Sequence, residues 1–184
     1  LRIWDCGLRI GNENNPKSQI PNPKYKEQTM PIDIGRKAPA FTLINADGVK
    51  QSLSDFRGWR VVYFYPKADT PGCTTEACQF TESLKDFEKL NAVVIGISPD
   101  EAPALAGFRD KYKLKVTLLG DPRKDVLKKY DAWGEKNMYG KITEGVIRST
   151  VIVDPDGNIA HHWKKVKADG HAAHVKKKLE ELAE

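Results

Sequence analysis

The run Arg60-Val61-Val62-Tyr63-Phe64-Tyr65 is aromatic and β-branched, shows little polar alternation, and is stopped by Pro66. A strand that alternates in polarity buries one face, whereas an unbroken apolar strand needs a hydrophobic layer on both. The chain therefore has to build a sheet with packing above and below this strand, which is expected at the sheet centre. The rest of the pattern agrees, because short β-rich runs alternate with amphipathic stretches from Ala40 onward, as in a sheet flanked by helices. Residues 41–44 and 49–53 flank Asn45-Ala46-Asp47-Gly48 as a hairpin. Residues 74–90 carry Ala77, Phe80, Leu84, Phe87 and Leu90 on one helical face. Residues 92–98 predict a second buried strand, 101–112 a helix, 116–119 a strand and 123–130 a short helix. Residues 149–153 and 158–163 flank the turn Asp154-Pro155-Asp156-Gly157, and 170–183 close the chain as a helix with Val175, Leu179 and Leu182 inward. The expected class is α/β, a central mixed sheet flanked by helices. Trp59, Trp133 and Trp163 read as sheet and core residues.

With 184 residues, one domain with a tail is the natural division. Residues 1–29 are rich in Asn, Pro, Lys and Gln without a hydrophobic period and read as a flexible extension before a domain over 30–184. Met30 is a candidate initiator. Asp5, Gly7 and Arg9 interrupt any leader-like apolar run, and no stretch approaches the roughly 18 apolar residues of a membrane span. The expectation is a soluble, cytoplasmic protein with no membrane partner. Thirty Lys plus Arg stand against 25 Asp plus Glu, interleaved along the chain, which argues against a nucleic-acid partner. The densest basic groups, Lys164, Lys165 and Lys167, then Lys176, Lys177 and Lys178, read as solvated faces. Three cysteines cannot build a secreted disulfide framework and favour a reducing compartment.

Chemistry concentrates where the central strand passes through a Pro/Gly-rich loop into a helix, Tyr65-Pro66-Lys67-Ala68-Asp69-Thr70-Pro71-Gly72-Cys73-Thr74-Thr75-Glu76-Ala77-Cys78. Open α/β sheets gather ligands at the carboxyl ends of strands. Cys73 falls where the helix begins, and the unpaired N–H groups and positive dipole end of a first turn stabilise a thiolate. Cys78 is five residues on, which in regular helix puts the two Cα atoms about 8.6 Å apart and the side chains about 140° apart. A disulfide tolerates only about 7 Å, so any bond between the two requires the first turns to unwind. A functional pair would be a switch rather than a staple. Two inert small hydrophobes at a helix start are the plain alternative, and the cysteine spacing supplies too few ligands for a structural zinc site.

Pro66-x-x-x-Thr70-x-x-Cys73 resembles the peroxiredoxin active-site signature, and Thr70-Pro71-Gly72-Cys73-Thr74-Thr75-Glu76-Ala77-Cys78 resembles its bacterioferritin comigratory protein branch, or peroxiredoxin Q. The likeness runs from about Met30 to Glu184 and includes Gly35-x-x-Ala38-Pro39-x-Phe41, Gly145-Val146-Ile147-Arg148-Ser149-Thr150 and Val166-Lys167-Ala168-Asp169-Gly170-His171. It implies a thioredoxin-like fold and a thiol-dependent peroxidase that needs no cofactor. It further implies Cys73 as the peroxidatic nucleophile, Cys78 as the resolving cysteine and an intramolecular disulfide. The reductant would be thioredoxin or a glutaredoxin-type protein, and the branch is often monomeric. Thr70 would hydrogen-bond thiolate and peroxide, Pro66 would exclude water, and Arg148 would stabilise the thiolate and align the peroxide oxygens.

Displacement at an O–O bond develops negative charge on the leaving oxygen, so hydroxyl and guanidinium donors there raise the rate. A thiol–disulfide oxidoreductase on the same fold would carry Cys-x-x-Cys and a proline before the later strand, where this chain has Cys-x-x-x-x-Cys and Ile147-Arg148-Ser149. A redox sensor or holdase using the same switch is the non-enzymatic alternative. Glu76, one turn into the helix, reads as a dipole or capping residue with a catalytic part left open. His161, His162, His171 and His174 are assigned surface or packing roles rather than a metal site. Cys6 reads as an incidental thiol or a site of mixed disulfides.

Overall fold

The structure is a computed structural model that describes residues 32–138 and 141–184. The tail assigned to residues 1–29, Cys6 with it, and the candidate initiator Met30 lie outside the described residues. In chain order the elements are β1 (Thr42–Asn45), β2 (Lys50–Ser52), β3 (Trp59–Phe64), α1 (Pro71–Glu82), α2 (Leu84–Lys89), β4 (Ala92–Ser98), α3 (Ala102–Tyr112), β5 (Thr117–Gly120), α4 (Asp125–Lys129), β6 (Trp133–Met138), β7 (Lys141–Val146), β8 (Ser149–Val153), β9 (Ile159–Trp163) and α5 (His171–Ala183). Seven strands form one mixed sheet in the order β2-β1-β5-β4-β3-β8-β9, and β6 and β7 make a separate ribbon.

The apolar run becomes β3, parallel to β4 and antiparallel to β8, so it is hydrogen-bonded on both edges and lies one strand from the middle. Its two faces feed two cores. Val61 and Tyr63 join Phe80 of α1, Phe87 of α2, Phe108 of α3 and Val175 and Leu179 of α5. Val62 and Phe64 face the other way, against Val126, Leu127, Tyr130 and Val146. A hydrophobic layer on each side is what the lack of alternation demanded. Trp59, Trp133 and Trp163 sit in strands, each packed partly buried against one of these cores.

Two expectations are corrected. The single helix over 74–90 is two helices. Ser83 ends α1 by donating its N–H to the Gln79 carbonyl at 3.1 Å, and its own carbonyl accepts the first bond of α2 from Asp86 at 2.9 Å. Phe80, Leu84 and Phe87 stay on one apolar side across this junction, so periodicity alone could not register it. The helix also starts earlier, because Pro71, Gly72 and Cys73 are its first turn, with proline at the position that loses no bond. The β6–β7 ribbon was not anticipated, since Glu135, Lys136, Thr143, Glu144 and two glycines give it no apolar period.

Gly96 of β4 lies opposite Tyr63 of β3, and a Cβ there would come within 2.5 Å of the Tyr63 ring. That ring stacks on Phe80 of α1 with centroids 4.8 Å apart. Gly96→Ala is expected to destabilise the protein by about 1–3 kcal/mol in urea unfolding, because both neighbours are fixed in the core. A loss below about 0.5 kcal/mol would show that the Tyr63 ring has room to move.

Candidate active site

β3 delivers the chain into the loop before α1, and two carboxylates hold that loop. Asp100 accepts from the Ala68 N–H at 2.7 Å and from the Ser98 hydroxyl at 2.8 Å. Asp69, with its backbone at φ 56, accepts from the Tyr112 hydroxyl at 2.6 Å and from Lys111 at 2.8 Å. Thr70 then caps α1 in extended backbone conformation, and Cys73 is the third helical residue, 2% exposed and reduced. Its sulfur therefore lies in the first turn, where backbone N–H groups lack helical partners and the dipole favours negative charge.

Arg148 comes from the link between β7 and β8. Its backbone is fixed on both sides, by Val166 donating to the Arg148 carbonyl at 2.9 Å and by Ile147 donating to the Ala132 carbonyl at 2.7 Å. The guanidinium forks: Nη2 donates to Cys73 Sγ at 3.1 Å and Nη1 pairs with Glu76 Oε2. The guanidinium passes beside Gly72, where a Cβ would stand 3.5 Å from Nη2, an ordinary van der Waals contact. The arginine side chain is 15% exposed and that of Glu76 is fully buried.

Burial dominates the titration of Glu76. It pushes the carboxyl up to about 7 against the opposing pull of Arg148, and Oε1 is buried with no partner among the described residues. Burial likewise pushes the Tyr63 hydroxyl well above its ordinary value, with the charges of Tyr65, Glu76 and Cys73 adding. His171 meets the Thr150 hydroxyl at 2.8 Å and presents its ring edge-on to Phe80 and Trp163. Burial first, then His174 and Arg148, lower it to about 4, so it is neutral at pH 7. Among the described residues no group of three or more His, Cys, Asp or Glu could hold a metal ion.

Cys73 and Arg148, 75 positions apart in sequence, are in hydrogen-bond contact. Cys78 lies on the same regular helix, half-buried and reduced, and burial followed by the charge of Glu82 pushes its thiol up. Thr70 departs from expectation. Its hydroxyl donates to the Lys67 carbonyl at 3.0 Å, tightening the loop as an N-cap residue instead of donating to the Cys73 sulfur. Pro66 is half-buried just after β3. Glu76 is the site residue whose role was misread. Cys73, Ala77 and Phe80 define the buried stripe of α1, and a carboxylate within that stripe signals an internal cation rather than a solvated cap.

A buried thiol at a helix N-terminus, held by an arginine from the link just before a strand that runs antiparallel to β3, defines a thiol enzyme of thioredoxin-like architecture. The AhpC/TSA family pattern matches residues 34–162. A peroxiredoxin homologue from Mycobacterium tuberculosis is 52% identical over 153 residues, 83% of this chain and 98% of that one. Peroxiredoxin Bcp of Bacillus subtilis is 41% identical over 156 residues, covering 84% and 99%. The bacterioferritin comigratory protein of Xanthomonas campestris, solved in a study of its alkyl peroxide reduction, superposes with a TM-score of 0.77 at 36% identity, covering 83% of this chain and 100% of that one. The chain belongs to the AhpC/TSA family, in its bacterioferritin comigratory protein or peroxiredoxin Q branch, and is a thiol-dependent peroxidase.

Because the folded-state pKa of Glu76 lies above its ordinary 4.5, the folded protein binds this proton more tightly than the unfolded chain. The stability that Glu76 contributes is then complete below about pH 4.5 and is lost as pH rises through about 7. His171 acts oppositely over part of this range, so wild type alone is ambiguous. The difference between Glu76→Gln and wild type isolates the carboxyl, and in urea unfolding it should move in favour of the variant by about 2–3 kcal/mol from pH 5 to pH 8. An unchanged difference would mean that Glu76 titrates as an ordinary carboxyl.

Proposed function

We propose that Cys73 is the peroxidatic nucleophile of this peroxidase and Cys78 its resolving thiol. The observation that carries this reading is the Arg148 guanidinium, 3.1 Å from the Cys73 sulfur at the N-terminus of α1. The Cys73 thiolate attacks the terminal oxygen of hydrogen peroxide or an organic hydroperoxide. An S–O bond forms as the O–O bond breaks, and the departing oxygen leaves, after taking a proton, as water or an alcohol. The N–H groups of the first turn and the guanidinium stabilise the charge that develops on that oxygen. Thr70 supports the same step when its hydroxyl turns from Lys67 toward the peroxide, and Pro66 shields the sulfur from water.

The Cys78 thiolate then attacks the Cys73 sulfenic acid, forming an S–S bond and releasing the oxygen as water. In regular helix the i to i+5 separation of about 8.6 Å exceeds disulfide reach, so the first turns of α1 unwind for this step. A thioredoxin- or glutaredoxin-type dithiol takes up the disulfide and restores both thiols. Both cysteines lie on one helix, so resolution needs no second copy and the chain works as a monomer. No described helix is long and apolar enough to cross a membrane. The need for a dithiol reductant suits a reducing compartment, and we assign the protein to the cytoplasm.

One equivalent of hydrogen peroxide added to the reduced protein should remove two thiols within seconds, with peptide mass mapping them to a Cys73–Cys78 disulfide. Cys73→Ser should abolish turnover. Cys78→Ser should keep the first oxidation and lose recycling by thioredoxin. Thiol loss at the rate of an ordinary cysteine, or turnover by Cys73→Ser, would overturn the assignment.

A further inference from the structure

Arg148 is not the only cation on its side of Cys73. The β6–β7 ribbon leads into Arg148, and its register pairs Gly134 with Gly145 and Lys136 with Thr143. Gly145 is therefore the diagonal neighbour of Lys136 toward the Arg148 end of the ribbon. The Lys136 arm lies along that bare glycine, since a Cβ at Gly145 would stand 3.6 Å from Lys136 Cε and 3.7 Å from Nζ. Lys136 thus leans toward Arg148 and is half-buried. The segment containing Lys164, Lys165 and Lys167 passes behind Arg148, tied to it through Val166 at 2.9 Å. These lysines read from sequence as a solvated face, yet the fold brings that segment to the site.

The charges feel one another. Burial first lowers the pKa of Lys136, Arg148 and Lys165 lower it further, and Cys73 raises it. Lys136 forms no ion pair among the described residues, while Arg148 is engaged with both Cys73 and Glu76. Among the described residues, the groups of opposite charge acting on Lys136 and Arg148 are the Cys73 sulfur and the Glu76 carboxyl, which is close to half protonated at neutral pH. The site carries surplus positive charge, with one half-buried ammonium available to a further anionic group.

We propose that Lys136 makes this enzyme prefer compact organic hydroperoxides that carry a carboxylate a few bonds from the O–O group. The proposal rests on Cys73 being the nucleophile. The hydroperoxide oxygens occupy the Cys73–Arg148 corner while the carboxylate meets the Lys136 ammonium, with Lys165 adding attraction from the exposed rim. One half-buried ammonium matches one negative charge. The terminal oxygen passes to the Cys73 sulfur, the O–O bond breaks, and the remainder takes a proton and leaves as a hydroxy carboxylate. A neutral hydroperoxide of the same shape undergoes the same step without this attraction.

The test compares 4-(2-hydroperoxypropan-2-yl)benzoate with its methyl ester, as second-order rates of oxidation of the reduced protein. Wild type should favour the carboxylate about fivefold or more at low salt, the factor expected for one charge pair at a partly wetted site. That ratio should fall toward one at about 0.5 M salt, as screening shortens the range of the attraction. Lys136→Gln should bring the ratio toward one, and Lys136→Arg should keep it. A wild-type ratio at or below one, or a ratio that Lys136→Gln leaves in place, overturns the proposal. If the glutamine variant fails to fold, the salt dependence of the wild-type ratio decides. Oxidation of Cys73→Ser by both probes at the wild-type rate would instead overturn the nucleophile assignment, a separate result.

Discussion

The site depends on one largely enclosed cation that divides its hydrogen bonds between a sulfur and a carboxylate. Arg148 binds Cys73 and Glu76, both in the first turns of α1, and so joins that helix to the β7–β8 link. Removing ions from water costs several kcal/mol each, and such a cluster persists only where partners are close and well oriented. The surroundings meet that need. Val166 and Ala132 fix the backbone around it, and β8 continues from it into the sheet beside β3. Loss of Arg148 would leave Glu76 buried beside the sulfur with no cation, which makes the arginine the member that holds the other two together.

The helix that carries the thiol has two sets of anchors. Phe80 stacks on Tyr63 at 4.8 Å and packs against His171. Gln79 beside it donates to Asp169 at 2.7 Å and accepts from the Gly170 N–H at 2.9 Å, which ties the helix to the start of α5. Toward the N-terminus, the Arg148 contacts to Cys73 and Glu76 are the side-chain ties to another element, beside the helical bond from Thr74 N–H to Thr70 at 2.8 Å. The far half of α1 is thus held by aromatic packing and the hydrogen bonds of Gln79, and the near half by the Arg148 contacts together with the burial of Cys73 and Ala77. The unwinding over residues 73–78 that the proposed resolution requires would break the second set and leave the first intact, so its cost would be that of a local opening rather than of unfolding the domain.

How much of this was legible depended on what each residue answers to. β3 was legible because burial on both faces leaves an unbroken apolar run, and β4 for the same reason. The β6–β7 ribbon was not, because a two-stranded element with polar side chains and glycines at 134 and 145 carries no period. The junction at Ser83 was hidden because the apolar stripe passes through it. Cys73 was visible from local chemistry, a thiol after a Pro/Gly loop at a helix start. Arg148 was not visible that way, since nothing within its own segment separates it from a surface cation, and the family resemblance supplied it. Thr70 shows the limit of the motif, because an N-cap hydroxyl has a backbone carbonyl within reach and the sequence does not say which acceptor it takes. Glu76 was readable in principle, as a charge inside an apolar stripe, but that argument needs the helix start, which was placed three residues late.

Charge links the chemistry to the unwinding in the proposed cycle. A guanidinium bond to a thiolate is charge-assisted and roughly twice as strong as a bond between neutral groups. When Cys73 becomes a sulfenic acid its negative charge is gone, and Nη2 of Arg148 loses its charged acceptor while Nη1 still holds Glu76. Glu76, close to half protonated near neutral pH and with one oxygen already unpartnered, is a weak remaining tether. Oxidation therefore loosens the near half of α1 at the step where Cys78 has to approach, and reduction, by restoring the thiolate, tightens it again. In this proposal the contact that activates the sulfur for attack is also the contact whose weakening admits resolution, so the helix would open after oxidation without a separate trigger.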